Sequence, residues 1–135
     1  MPNAIRKAAV LGAGVMGAQI AAHLANVGIP TLLLDIVPRE VTPEEAAKGL
    51  TPESPTVRNR LATNALQTLQ KLKPSPLYSK DVLRLITPGN LEDDLAKVAE
   101  CDWVVEAVIE NLQIKKDLWQ RVAAHHRPGM ICSSN

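Results

Sequence analysis

Gly12-Ala13-Gly14-Val15-Met16-Gly17 is a G-x-G-x-x-G pattern set directly after the short apolar run Ile5 to Leu11. That spacing suits the binding of a pyrophosphate. Gly12 permits a tight turn, Gly14 lets backbone approach the phosphates, and Gly17 lets a helix pack closely on a strand. Backbone N–H groups at the start of the following helix, together with its dipole, favour the anion. The pattern alone arises often by chance. It gains weight here because a strand precedes it and a helix follows. Asp35 ends a second apolar run, 18 residues after Gly17, where a carboxylate accepts from the hydroxyls of an adenosine ribose. It would repel a 2′-phosphate, and Ile36 after it is not basic, so the expected cofactor is NAD rather than NADP. Arg39 is close in sequence, with Pro38 expected to turn it away.

A third stretch is Glu106-Ala107-Val108-Ile109-Glu110-Asn111. Val108, Ile109 and Glu110 come at the carboxyl end of their strand, where open parallel sheets place ligands. Small and apolar residues there, Ala107 among them, can pass beside a ribose or nicotinamide. Glu110 either accepts from a hydroxyl or complements the dipole of the next helix. The residues alone leave both readings open. Glu106 is unusual in an apolar strand: buried, it needs partners or a raised pKa, and the alternative is a place at the strand's edge. Lys115 and Lys116 fall in the first turns of a helix, where the dipole disfavours cations. A role in binding and a solvated face both fit them. His125 and His126 lie near a helix C-terminus and His23 within the first helix, so none is expected to be catalytic. No Ser-His-Asp or His-Glu-x-x-His set is present, and no metal site can be argued. Cys101 and Cys132 have no metal-type spacing and read as small core residues.

These groups need a scaffold of alternating strands and helices. Ile5–Leu11 reads as a strand. Val15–Val27 reads as a helix, with Val15, Ile20, Leu24 and Val27 at helical spacing and Gly28 ending it. Pro30–Asp35 is a second, continuously apolar strand, as parallel strands are. Pro38 to Pro55 shows no period and reads as irregular. Val57–Lys73 returns to helical spacing and stops at Pro74 and Pro76. Val82–Ile86 reads as a short strand before Thr87-Pro88-Gly89, and Leu91–Ala99 as a short helix starting near Asn90. Trp103–Ile109 is a strong strand. A helix capped by Asn111 runs from Leu112 to about His125, turning Ile114, Leu118, Trp119 and Val122 inward. Met130–Ser133 is the last strand. The order is β-α-β, a helical insert at about 38–80, then β-α-β-α-β. That is an α/β, Rossmann-type doubly wound parallel sheet in a single domain of residues 1–135.

Composition agrees with one soluble globular domain: 135 residues, 46% hydrophobic and 21% charged. A formal net charge of +1 gives no reason to expect nucleic acid or an anionic membrane as partner. With three aromatics, Trp103, Trp119 and Tyr78, stacked-base recognition is a poor fit, and the core must be aliphatic and alanine-rich. No run approaches a membrane span, and a cytoplasmic location is the default expectation.

Val10 to Ala21 (V-L-G-A-G-V-M-G-A-Q-I-A) resembles the opening of the 3-hydroxyacyl-CoA dehydrogenases. So do Glu106 to Asn111 with Lys115 following, and the terminal Ser133-Ser134-Asn135. Asp35 to Gly49, and Ile86-Thr87-Pro88-Gly89-Asn90-Leu91-Glu92-Asp93-Asp94-Leu95, are similar to bacterial fatty-acid-oxidation members. The resemblance covers essentially the whole chain. It implies oxidation of an (S)-3-hydroxyacyl-CoA to the 3-oxoacyl-CoA in fatty-acid β-oxidation, with hydride passing to NAD. It also implies NAD contacts at Met16, Asp35, Val108, Ile109, Glu110 and Lys115, and a cofactor site completed by Gly12, Ala13, Gly14, Val15, Gly17, Ala107 and Asn135. Acyl-CoA would lie near the Val57–Lys73 helix, with Lys71 or Lys73 near a CoA phosphate. The family's catalytic base is a histidine on strands following the Ser-Ser-Asn position, and a second, helical domain carries dimerisation. None of the three histidines here matches that base. The chain is therefore expected to be a fragment that holds the cofactor, with no catalytic residue of its own. Two other expectations stand beside it: a stand-alone NAD(H)-binding sensing module, and a Rossmann dehydrogenase for small hydroxy acids, against which the helical insert argues.

Overall fold

Ala8-Ala9-Val10-Leu11 is buried along its whole length, and so is Thr31-Leu32-Leu33-Leu34. Strands that bury both faces belong to the middle of a parallel sheet covered on each side by helices. The structure, a computed structural model, describes residues 5–38, 40–71, 80–107, 112–125 and 130–134. In chain order its elements are β1 (Ala8–Leu11), α1 (Val15–Asn26), β2 (Thr31–Asp35), α2 (Pro43–Ala47), α3 (Pro55–Arg58), α4 (Arg60–Lys71), β3 (Ile86–Asn90), β4 (Trp103–Glu106), α5 (Leu112–Ala123) and β5 (Ile131–Ser134). Two 3-10 helices, Lys80–Leu85 and Leu95–Glu100, flank β3. The strands form one sheet in the order β3-β2-β1-β4-β5, and every pairing is parallel. The chain winds outward from β1 to β3, then returns to β4 on the other side. The crevice at the carboxyl ends of β1 and β4 is therefore the expected ligand position.

Residues alternate between two core layers. Ala8, Val10 and Leu33 face α1 and α4, together with Ile86. Ala9, Leu11, Leu32, Leu34 and Val104 face α5 and the Leu95–Glu100 turn, where Leu118 and Val122 are buried. Helix α1 presents Gly17, Ala18, Ala21, Ala22, Leu24 and Ala25 to the sheet. Small residues let it sit close, while Val15 and Val27 are exposed. The apolar spacing locates this helix, and its buried face is mostly alanine with Leu24 among them. Gly28, at a φ of 89°, ends it as expected.

Five segments differ from the sequence reading. Ile86–Asn90, rather than Val82–Ile86, is the strand, and Lys80–Leu85 is 3-10 helix. Thr87-Pro88-Gly89 reads as a turn in sequence. Here Pro88 pairs opposite Leu33 on an edge strand, where a missing N–H is tolerated. Leu91 to Asp94 is a turn, and a 3-10 helix replaces the expected α-helix at Leu91–Ala99. Within the stretch read as irregular, α2 begins at a capping box: Glu45 N donates to Thr42 Oγ1 at 3.1 Å and Thr42 N to Glu45 Oε1 at 2.8 Å. The Thr42-Pro43-Glu44-Glu45 signature was available in the sequence. The Val57–Lys73 helix is two helices, α3 and α4, meeting at Asn59. Strand β4 ends at Glu106, short of the expected Ile109, and residues 108–111 lie outside the described ones. Cys101 is buried as expected, whereas Cys132 on β5 is exposed, because β5 is the opposite edge of the sheet.

Candidate functional site: a dinucleotide cleft at the carboxyl edge of the sheet

Strand β1 ends at Leu11, and Gly12 turns the chain with a φ of 115°, a backbone region that favours glycine. Gly12 N donates to Leu34 O at 2.7 Å, so the turn starts anchored to β2. Gly14 is the N-cap of α1. That helix has no side-chain cap and no acid in its first turn, so the positive end of its dipole is not countered there. A Cβ on Gly14 would meet nothing within 4 Å. A Cβ on Gly17 would overlap the Gly12 carbonyl oxygen. The two glycines thus do different work. Gly17 is required for the helix to pack on the turn, while Gly14 leaves open space beside the backbone.

Asp35 closes β2 next to this turn. Its Oδ2 accepts from Ala13 N at 2.7 Å and its Oδ1 from Ile36 N at 2.6 Å. Each carboxylate oxygen has a second acceptor site available to ribose hydroxyls. The opening between the turn, Asp35 and α5 is a cleft of about 540 Å³. Its lining is Gly12, Ala13, Gly14, Asp35, Ile36, Leu61, Leu91, Ala107, Asp117, Leu118 and Arg121. Among the sequence-expected residues, Gly12, Ala13, Gly14, Asp35 and Ala107 meet here. An apolar wall, a carboxylate at the end of β2 and an open glycine backbone at a helix N-terminus are features a dinucleotide needs; Asp117 and Arg121 add two charged groups to the lining.

The remaining expected residues are placed as follows. Val15 lines an adjoining groove with Asn64 and Thr68 of α4. Met16 faces another groove, beside His23, Trp103 and Ser133. Lys115 Nζ lies 3.4 Å from Glu106 Oε1, and Glu106 is fully buried. The buried-carboxylate reading of Glu106 therefore holds and the edge reading does not, since β4 pairs with β1 on one side and β5 on the other. Lys115 also borders a shallow depression with Lys116 and Trp119. Val108, Ile109, Glu110 and Asn135 lie outside the described residues, as do Arg39, Asn111, His126 and Lys73. Ile36, Leu61, Leu91, Asp117 and Arg121 were not anticipated as lining. Asp117 and Arg121 stand four apart, on one face of α5, but no motif marks that spacing as a site.

The family model described as 3-hydroxyacyl-CoA dehydrogenase, NAD binding domain, matches residues 7–135. The chain belongs to this family. A probable 3-hydroxyacyl-CoA dehydrogenase of Bacillus subtilis (strain 168) is 57% identical over 135 residues, covering 100% of this chain and 17% of that protein. A putative fatty acid oxidation complex trifunctional enzyme of Rickettsia felis is 36% identical over 135 residues, again 100% of this chain and 17% of the relative. The chain thus spans about a sixth of the length of these two relatives. The crystal structure of 3-hydroxybutyryl-CoA dehydrogenase from Escherichia coli K12 superposes with a TM-score of 0.68 at 24% identity, over 98% of this chain and 25% of that one. That likeness bears on the fold. A 3-hydroxyacyl-CoA dehydrogenase NAD-binding domain has NAD as its cofactor, and the open backbone at Gly14 and the carboxylate at Asp35 fit it. Among the described residues, no helix is long and apolar enough to cross a membrane.

Proposed function

We propose that residues 1–135 hold NAD across the carboxyl edge of the sheet, as the cofactor-binding part of an enzyme that oxidises (S)-3-hydroxyacyl-CoA to 3-oxoacyl-CoA in fatty-acid oxidation. The observation that carries this reading is the convergence of the open Gly14 backbone and the Asp35 carboxylate on one cleft of about 540 Å³. Gly12, Ala13, Gly14, Val15, Met16 and Gly17 form the turn over which the pyrophosphate passes. Asp35 accepts from the adenosine ribose. Ala107, Val108, Ile109, Glu110, Lys115 and Asn135 serve the nicotinamide half.

When bound, NAD supplies the hydride acceptor. This chain's part is to orient it: the turn fixes the phosphates, and Ala107 after β4 lines the same cleft. A histidine elsewhere in the whole protein takes the hydroxyl proton, as the family resemblance implies. Acyl-CoA binding and a homodimer interface are likewise completed by further regions. The relatives named as fatty acid oxidation enzymes support this assignment. Titration of the chain with NADH and, separately, NADPH tests it. Preference for NADH supports the assignment, and equal or stronger binding of NADPH contradicts it.

A further inference from the structure

We propose that Arg121 is a specificity-determining residue for the adenine half of the dinucleotide, its guanidinium forming one face of a purine pocket whose other face is Ile36. The inference rests on the NAD reading above. Both residues line the main cleft, and both also line a recess of about 270 Å³ that continues from it past Val37, Pro38, Leu91 and the carboxylate-bearing Glu92. Asp35 places the adenosine ribose at the end of β2. The base must then lie beyond it, and the Ile36–Arg121 recess is the space that opens there.

Arg121 is held in place from across the cleft. Its Nη2 donates to Leu91 O at 2.7 Å, joining α5 to the turn after β3. That bond commits one of the guanidinium's five donors and limits the swing of its plane. A planar guanidinium stacks on aromatic rings, which a lysine ammonium cannot do. Ile36, which lines the same recess, is 61% exposed, one of five large hydrophobics so placed among the described residues. A purine between the two would cover the isoleucine and meet the cation on its other face. A pyrimidine base has less ring to offer both. The pocket therefore selects for purine at this end of the ligand, independently of what Asp35 and Gly14 do to the ribose and phosphates.

The test is calorimetric titration of this chain with NAD and with nicotinamide cytosine dinucleotide, which keeps the pyrophosphate and both riboses. The wild-type chain should bind NAD more tightly than the cytosine analogue. Arg121→Ala should weaken NAD by about two- to fivefold, the scale of a cation–π contact at an exposed site, and shrink the preference over the analogue. Arg121→Gln keeps a donor for the Leu91 carbonyl and should behave like Arg121→Ala, so the test does not depend on the alanine variant staying folded. Unchanged NAD affinity in both variants, equal weakening of the two ligands, or no base preference in the wild-type chain overturns the inference while leaving the NAD reading intact. Failure of the folded wild-type chain to bind either dinucleotide overturns both.

Discussion

The backbone N–H of Ala13 donates to Asp35 Oδ2 at 2.7 Å, across a sequence separation of 22 residues. The residue that selects the ribose therefore also pins the turn that holds the phosphates. Asp35→Ala removes both functions at once. The variant should lose about 1.5 to 3 kcal/mol of stability, the range for a hydrogen bond to a charged group, and its preference for NADH over NADPH should shrink. Urea unfolding with parallel nucleotide titrations checks this. A variant as stable and as selective as wild type would show that the contact is incidental.

Gly17 and Gly14 should respond unequally to alanine. At Gly17 the new methyl group overlaps the Gly12 carbonyl, and relieving it must move helix or turn, costing about 1–3 kcal/mol. At Gly14 the methyl group meets nothing within 4 Å, so the cost should stay within about 1 kcal/mol, that of a poorer N-cap. Thermal or urea unfolding of the two variants separates them, and equal destabilisation would contradict the packing described.

The Glu106–Lys115 pair predicts a non-additive cycle. Glu106 is fully buried and Lys115 Nζ is 3.4 Å away. Lys115→Met should cost about 3 kcal/mol or more, because it leaves a buried carboxylate short of its cation. Glu106→Gln with Lys115→Met should recover much of that loss. Additive losses in denaturant unfolding would mean the two side chains do not interact.

Acid stability should depend on the latch between the helical insert and the turn after β3. Arg58 of α3 holds Asp93 through Nε at 2.6 Å and Nη2 at 2.8 Å, and Asn90 Nδ2 adds a bond at 2.9 Å. The Arg58 guanidinium first, then the Asn90 amide, lowers the Asp93 carboxyl from 3.8 to about 2. A depressed carboxylate stabilises the fold above its unfolded value and loses that contribution as pH falls through its folded value. The contribution is thus full above about pH 5, falls steadily through the interval between the two values, and is gone near about pH 1. Asp93→Asn should be less stable than wild type at neutral pH, and the difference should close over that window. A difference unchanged down to pH 2 would contradict the pairing.

Much of this architecture is legible in the residues because the physics is local. The glycine turn, Asp35 and the continuously apolar β2 each carry their own signal, and all three stand where the sequence puts them. Strand β3 was misplaced because its Pro88 looks like a breaker until the sheet order makes it an edge residue. Helix α1 meets the sheet mainly through alanines together with Leu24, so the apolar spacing locates the helix more surely than its buried face. Arg121 and Leu91 are 30 residues apart in sequence and meet only through the tertiary fold. No periodicity could have paired them. The exposure of Cys132 likewise follows from its place on the far edge of the sheet rather than from its residue type.

The central claim is that a dinucleotide pyrophosphate passes over the Gly14 backbone. The most direct test is NADH titration of wild-type chain and Gly14→Val, each first shown to be folded by circular dichroism and cooperative unfolding. A Cβ at Gly14 meets nothing within 4 Å in the protein alone, so the variant should fold but bind NADH at least tenfold more weakly, the equivalent of about 1.4 kcal/mol. A folded Gly14→Val chain that binds NADH as tightly as wild type would place the cofactor elsewhere.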